Sequence, residues 1–456
     1  MTEDKDMNAP DGAAETLDRD AGPWADLIKD AERCFETYQD KADKIDRLYA
    51  NLESLSKGSA DREFQIFWAN MEVLKPSIYA RTPVPVVVPK FRNRAELPRK
   101  AADMLERTLA TSLALDEFDL TMKAVRDDLA INARGAMWVR YQAAEKEGAI
   151  DERVTFDHVE RRDFLHDPAR KWKEVEWVAR RSWLTQKQGR ERFGDAFLKA
   201  EFSEKAGQDD SYKGEKKASV WEIWHKGQNL VVWISPGMSE VLDIQPPFLL
   251  LDGFFPCPQP AYGTRERGTL KPVPDFLYYK DQVEEINELT ARISALAEGL
   301  RMKGFYAGGA EDLAAAIETA MKSQDNNAML IPVANFGALG GQAIRDSVVW
   351  LPIQEVASTI TSLIQLRRQL IEDVYQITGI SDIMRGITHA SETLGAQELK
   401  SQYGSVRVRD RQLELVRVAR DAISIAGEIM AENFEAETLL LMSQMNDLPR
   451  AAAIQQ

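Results

Sequence analysis

The firmest pattern of apolar and polar positions lies in the second half of the chain. Across 275–303, Val283, Ile286, Leu289, Ile293, Leu296 and Leu300 recur at steps of three and four, which aligns them on one face of a helix. The other face is mostly acidic: Glu284, Glu285, Glu288 and Glu298 stand against Arg292 and Arg301. Such a surface faces water or a channel rather than a core. Pro274 suits the first helical turn, where its missing amide hydrogen has no partner to lose. A second helix over 355–378 puts Val356, Ile360, Leu363, Leu370, Val374 and Ile377 on one stripe, with the mixed charges Arg367, Arg368, Glu372 and Asp373 elsewhere on it, and Gly379 follows as its stop.

The insert between these helices, 304–353, has an Ala-rich helical run at 311–322 and β-like runs at 329–333 and 347–351. A piece this small hardly buries a core alone, so it is expected to complete itself against neighbouring copies of the chain. Past Gly379 the period lapses as far as Ala390. It resumes in a helix from about Ser391 to Phe434, on the order of 65 Å long, with Gly395, Gly404 and Gly427 as expected kinks.

Upstream, Leu27, Ile28, Ala31 and Phe35 mark a helix that starts near Trp24 and continues through Leu48 and Leu52. A second helix covers 64–79. Pro83, Pro85 and Pro89 then forbid helix and predict extended chain at a sheet edge. A third helical region spans 101–134, closed by Gly135. From 136 to 270 the period shortens to that of strands, at 137–141, 154–159, 176–183, 220–225 and 230–234, which predicts an antiparallel sheet in an otherwise helical protein. Most of the ten tryptophans fall there, and packing of the sheet accounts for them better than stacking on bases. The fold class is α+β, mainly helical.

Composition narrows the function. A chain of 456 residues, 44% hydrophobic and 29% charged, has room for two or three globular domains. Its net charge of −15 argues against a general nucleic-acid binder, which needs a basic surface to neutralise phosphates. Cys34 and Cys257 are the only cysteines, so neither a disulfide framework nor a cysteine-rich zinc site is expected, and the compartment is read as reducing. No apolar run approaches the roughly 18 residues of a membrane span. The first twenty residues have no signal-peptide core and read as an acidic disordered tail.

Motifs for chemistry are weak. His158, His166, His225 and His389 show neither H-E-x-x-H nor short-range pairing with cysteine; His158 and His166 flank a turn holding Asp163 and Asp167, an ordinary setting for turn histidines. The glycine-rich stretches at 337–341 and 304–309 lack the Lys-Ser/Thr ending of a phosphate loop. Ser54 and Lys57 match S-x-x-K without its companion motifs, and Asp127 with Asp128 fits a solvated helix face. No catalytic residue, metal ligand or cofactor site is therefore assigned.

Three stretches carry a family resemblance. The segment from Val159 through the Asp167-Pro168 turn to Thr185, followed by Arg192-Phe-Gly, resembles the wing of tailed-bacteriophage portal proteins, where a strand leads into an Asp-Pro turn, a second strand and a helix ending near Phe-Gly. Phe67-Trp-Ala-Asn-Met-Glu-Val-Leu-Lys-Pro-Ser-Ile-Tyr resembles that family's N-terminal wing helix. Ser391-Glu-Thr-Leu-Gly-Ala-Gln-Glu-Leu-Lys resembles the start of the helix after its tunnel loop. The likeness covers roughly residues 24–434, and the order helix, small α/β insert, helix, loop, long helix agrees with the periodicity.

The resemblance implies a portal fold: an acidic tail at 1–22, a wing of helices and antiparallel sheet at 23–270, stem helices at 271–303 and 354–378 around a clip at 304–353, a tunnel loop at 379–392, a long kinked wing helix at 393–434, and a reduced or truncated crown at 435–456. It implies a ring, usually of twelve copies, at one capsid vertex, through which a terminase drives double-stranded DNA. Major capsid protein, scaffolding protein and a head–tail adaptor would be further partners. The expected location is the virion, with assembly in the host cytoplasm. In the tunnel loop, Gly379 and Gly386 supply backbone freedom, Ile383 and Met384 are too apolar for a plain linker, and Arg385 and His389 would offer isolated contacts to passing phosphates. Glu284, Glu285, Glu288, Arg292, Arg367 and Arg368 would line the stem lumen or its outer face, and a mixed wall of this kind holds DNA weakly enough to let it slide. The rival readings are a nucleic-acid-processing enzyme, which needs a clustered active site, and a helical scaffold oligomer without a DNA role.

Overall fold

A computed structural model describes residues 18–51, 63–146, 149–203, 215–299, 304–306, 348–350, 353–380 and 394–446. In chain order the elements are α1 (Gly22–Tyr49), α2 (Ile66–Ile78), α3 (Glu96–Leu115), α4 (Phe118–Asn132), β1 (Arg134–Lys146), β2 (Ala149–Val159), β3 (Phe164–His166), β4 (Trp177–Thr185), α5 (Gln186–Phe193), β5 (Lys217–His225), β6 (Leu230–Ile234), β7 (Asp243–Gln245), β8 (Ala261–Tyr262), β9 (Thr264–Arg265), β10 (Pro272–Val273), α6 (Lys280–Gly299), β11 (Gly304–Tyr306), β12 (Val348–Trp350), α7 (Ile353–Thr378), α8 (Leu394–Asn433) and α9 (Ala436–Ser443). The fold is mixed α and β, mainly helical, with several antiparallel sheets. The chain divides into two compact units: 1–50, 68–277 and 379–456 form one, and 51–67 with 278–378 form the other.

In the first unit, α1 lays its apolar stripe on a five-stranded antiparallel sheet of order β3-β4-β5-β6-β7. Trp24, Ile28, Phe35 and Tyr38 meet Trp177, Trp221, Ile223 and Val232, all buried. Each such side chain contributes roughly 1.5–3 kcal/mol by leaving water. Trp138, Trp177, Trp221, Trp224 and Trp233 are all buried, as expected of residues that hold a sheet together. The expected single sheet is in fact two. The second has order β2-β1-β8: the long β1–β2 hairpin pairs Ala136 with Val159 and runs out to Lys146 with Ala149, while β8 takes the far edge through Arg134 and Gly135. Strand period cannot distinguish one sheet from two, because partner choice is tertiary.

The helical region expected at 101–134 is also two elements. It begins at Glu96 and breaks after Leu115, where Glu117 takes a left-handed backbone (φ 52°). Its end is capped by Ala133 (φ 61°) and not by Gly135, which already lies in β1. Gly135 is needed for close approach: a Cβ there would sit 2.3 Å from the Val125 carbonyl oxygen. Residues 82–89 carry no regular secondary structure, and no strand lies beside them among the described residues, so the expected sheet edge is unfilled.

The long helix α8 runs unbroken through Gly395, Gly404 and Gly427 for 40 residues, about 60 Å. Glycine permits a bend without demanding one, and Gly427 lies against Leu105 and Leu109 of α3. After it, α9 folds back on α3, where Thr111 Oγ1 donates to the Met442 carbonyl at 3.0 Å. The helix expected from 275 starts as a 3-10 turn at Asp275–Tyr278 and becomes α-helical at Lys280. Asp275 accepts from Thr264 Oγ1 (2.6 Å) and Arg411 Nη2 (2.7 Å).

Because the Val125 carbonyl is backbone and cannot swing away, Gly135→Ala is expected to destabilise the first unit by about 2–4 kcal/mol. Chemical denaturation followed by tryptophan fluorescence reads this, and an unchanged midpoint would show that the contact relaxes freely.

Candidate functional site

The second unit is built on α6 and α7, which pack side by side. Val283, Ile286 and Leu289 are buried on α6, with Ile293 and Leu296 half-buried farther along. On α7 the matching stripe is shallower: Ile360, Leu363 and Leu370 are half-buried and only Val374 is fully buried. Ile377, expected on this stripe, is exposed, because the stripe drifts off the contact line at the helix end. Residues 63–67 cross the pair: Asn287 Oδ1 accepts from the Phe64 amide at 2.9 Å, and Arg367 lies with its guanidinium 5.6 Å from the Phe64 ring centre while donating to Thr290 Oγ1 at 3.3 Å. Arg367 thus serves as a clamp inside the unit.

The outer face of α6 is charged and largely self-paired. Lys280 meets Glu284 at 3.1 Å and Arg292 meets Glu288 at 3.1 Å, both one turn apart, while Glu285 is exposed beside them. Exposed pairs of this kind contribute little to stability. What they do is cancel charge locally. Arg368 is exposed on α7. The sequence reading overlooked a third feature, the run Ser358-Thr-Ile-Thr-Ser362. Ser358, Thr359, Thr361 and Ser362 each donate to a carbonyl of their own helix at 2.8–3.0 Å, so this exposed face is neutral and already satisfied. The signal was the hydroxyl spacing, which a count of charges passes over.

Large apolar side chains remain uncovered on α7: Ile364 is 43% exposed, Leu366 45% and Ile377 36%. At about 100° per residue, Leu366 and Ile377 fall on one flank of the buried stripe, about 75° and 55° from its centre, and Ile364 on the other, about 85° from it. Gly379 has φ 73° and ends α7 as the sequence predicts. Ile383, Met384, Arg385, Gly386 and His389 lie outside the described residues. Of the insert, only β11 paired with β12 lies within them.

The histidines of the first unit are not brought together. His158 Nε2 sits 2.7 Å from Asp128 Oδ2. Burial alone would lower its pKa, but the hydrogen bond and charge of Asp128, with Glu160 and Asp127, outweigh burial and hold it above the ordinary value. His166 is fully buried between the rings of Phe35 and Trp172; its Nδ1 donates to the Asp167 carbonyl at 2.8 Å and its Nε2 accepts from the Tyr262 hydroxyl at 3.1 Å. Burial, reinforced by the Arg134 charge, pushes its pKa down to about 3. Among the described residues no cluster of three or more His, Cys, Asp or Glu is placed to hold a metal ion, and no helix is long and apolar enough to cross a membrane. No protein-family model matches the sequence, and no curated protein matches it.

His166 makes a pH prediction. Its folded pKa lies below the unfolded value near 6.5, so its contribution is fully present above about pH 6.5 and is lost as pH falls toward 3, with a slope of about 1.4 kcal/mol per unit. His166→Gln, which cannot titrate, is expected to be less stable at pH 8 but flatter from about pH 6.5 to 5. Equal slopes for both proteins in denaturant melts would contradict the assignment.

Proposed function

We propose that this chain is a portal-type ring subunit: copies assemble around an axial channel for double-stranded DNA, without catalytic chemistry of their own. The observation that carries this reading is the pair α6 and α7, whose uncovered apolar residues flank the buried stripe on opposite sides. An isologous dimer needs one self-complementary patch. Two different flanks on one element instead suit a heterologous, head-to-tail contact, which closes into a ring when the rotation divides a full turn. The wall such a ring would present also fits. Two ion pairs close within α6 and four hydroxyls within α7, which leaves Arg368 as an exposed cation among mostly acidic or neutral groups, and a duplex carrying a charge every ~1.7 Å would be held weakly enough to slide over it. The division of the chain follows the same lines, with 278–378 separate from the sheet-bearing unit, and the sequence likeness to portal proteins over 24–434 supports it.

In this proposal the segment after Gly379 is the tunnel loop, the insert at 304–353 is the clip, the ring sits at a capsid vertex of a virion, and terminase, capsid or scaffolding protein and a head–tail adaptor dock on it.

Ile364 and Leu366 are exposed within one chain, so Ile364→Asp and Leu366→Asp should leave the monomer's melting unchanged and abolish assembly. Native mass measurement and negative-stain images read the outcome. The unsubstituted protein is expected as closed rings with an open axial channel; monomers at micromolar concentration, filaments, or rings unaffected by both substitutions would overturn the proposal. Deleting 383–387 should leave rings intact while DNA filling of procapsids fails or packaged DNA leaks, and normal filling would remove the loop from DNA handling.

A further inference from the structure

Residues 81–94 of the first unit form an unusual surface. Thr82, Val84 and Val88 each precede a proline, which excludes helix and holds them extended. The side chains alternate: Val84, Val86 and Val88 are 82%, 75% and 68% exposed, while Pro85 is buried and Pro83, Val87 and Pro89 are half-buried. In an extended chain the backbone groups alternate as well, each residue's amide and carbonyl pointing to one side and its neighbours' to the other. Pro83, Pro85, Val87 and Pro89 share one side. Three of these have no amide hydrogen, and the fourth, Val87, donates to Glu106 Oε2 at 2.8 Å. The opposite side belongs to Val84, Val86 and Val88, whose amides and carbonyls bond to no described residue. One edge is therefore closed by proline and by Glu106, and the other is a free ladder.

We propose that this strap takes an extended, acidic polypeptide segment of another protein as an added β-strand. The backbone edge selects polypeptide, because free amides and carbonyls at strand spacing find their complement in another strand. The charge selects the sign. In a chain of net charge −15, residues 81–100 hold Arg81, Lys90, Arg92, Arg94, Arg99 and Lys100 against the single acid Glu96. All six basic residues are exposed; Glu96 takes up Lys100 at 2.7 Å, and Lys90 lies over the Phe91 ring, 5.8 Å from its centre. A site for apolar side chains adjoins the edge: a groove of about 490 Å³ lined by Val87, Met104, Leu105, Ala431 and Leu439. Phe91, 93% exposed and held at φ 58°, stands at the end of the strap, where a bulky residue in left-handed backbone is costly unless something uses it. Natural proteins cover, charge or shorten open apolar edges to avoid unwanted pairing. Here the edge is left open and basic residues outnumber acids along it, although Glu106 bonds Val87 and Asp119 bonds Thr82 on the side away from the free edge's valines; the excess disfavours a second copy's strap and admits an acidic partner. Nucleic acid fits less well: apart from Phe91 the strap offers valines, which give bases nothing to stack on. The proposal stands independently of the ring.

The test uses the full chain and a fluorescein-labelled peptide of about twelve residues alternating Glu and Val, read by anisotropy. Saturable binding is expected. N-methylating alternate amides along one edge of the peptide should weaken it about tenfold or more, and this arm leaves the protein unaltered. Val86→Pro, which removes the central amide of the free edge, and the pair Arg92→Glu with Arg94→Glu should each do the same, while the charge-reversed pair should gain affinity for a Lys–Val peptide. Any of four results would overturn the proposal: no binding of the Glu–Val peptide, equal binding of both N-methylated edges and the parent, a DNA duplex of equal charge bound more tightly than the peptide, or Val86→Pro altering the oligomeric state while leaving peptide affinity unchanged, which would make a second copy the occupant.

Discussion

Arg134 joins the parts of the first unit that hydrophobic burial alone would leave free to slide. It is the first residue of β1, it is 1% exposed, and its guanidinium lies 5.2, 5.3 and 5.8 Å from the ring centres of Phe35, Tyr38 and Phe164. Nη2 donates to the carbonyls of Arg161 (2.7 Å) and Phe164 (3.3 Å). One side chain thus touches α1, the three-stranded sheet and the start of the five-stranded sheet. A buried cation is tolerated only where other groups replace its water, and here three aromatic faces and the two carbonyls on Nη2 do so in part, while Nε and Nη1 are buried without a hydrogen-bond partner. Arg161 extends the same junction outward, with Gln39, Asp43 and Asp46 of α1 gathered on its guanidinium. These contacts tie α1 to the junction of the two sheets.

The two units differ in how fully they satisfy themselves. The first has a tryptophan-rich core that closes on its own residues. The second rests on a pair of helices of which one has, among its described side chains, a single fully buried one, Val374. Helices of this kind draw most of their stability from what packs on them, so the second unit is the part of the chain whose stability depends on what lies beside it. Its polar surface is quiet: ion pairs close within one turn and hydroxyls bond their own helix. Open apolar flanks beside a largely satisfied polar face are what the proposed ring contact uses.

Charge is distributed unevenly for a reason of the same kind. The overall excess of acid makes a general attraction to phosphates unfavourable, and the local basic cluster around the strap is confined to residues 81–100.

Sequence alone determined the elements whose period is set by local chemistry: the stripes of α1, α6 and α7, the stop at Gly379, the strands at 137–141, 220–225 and 230–234, and the prolines that hold 82–89 extended. Each follows from side-chain spacing or from backbone covalent limits, which act within a few residues. Tertiary structure decided what spacing cannot encode. It split the strands between two sheets, because pairing partners lie far apart in sequence; it moved the end of α4 from Gly135 to Ala133, where Gly135 packs closely on Val125; it kept α8 one unbroken helix through three glycines; and it turned Arg367 inward onto Phe64. The exposed residues of the candidate site, Ile364, Leu366 and the hydroxyl run at 358–362, became visible only when one side of α7 was taken up by α6. A helical wheel shows which residues share a face, whereas burial by a neighbour decides which face remains.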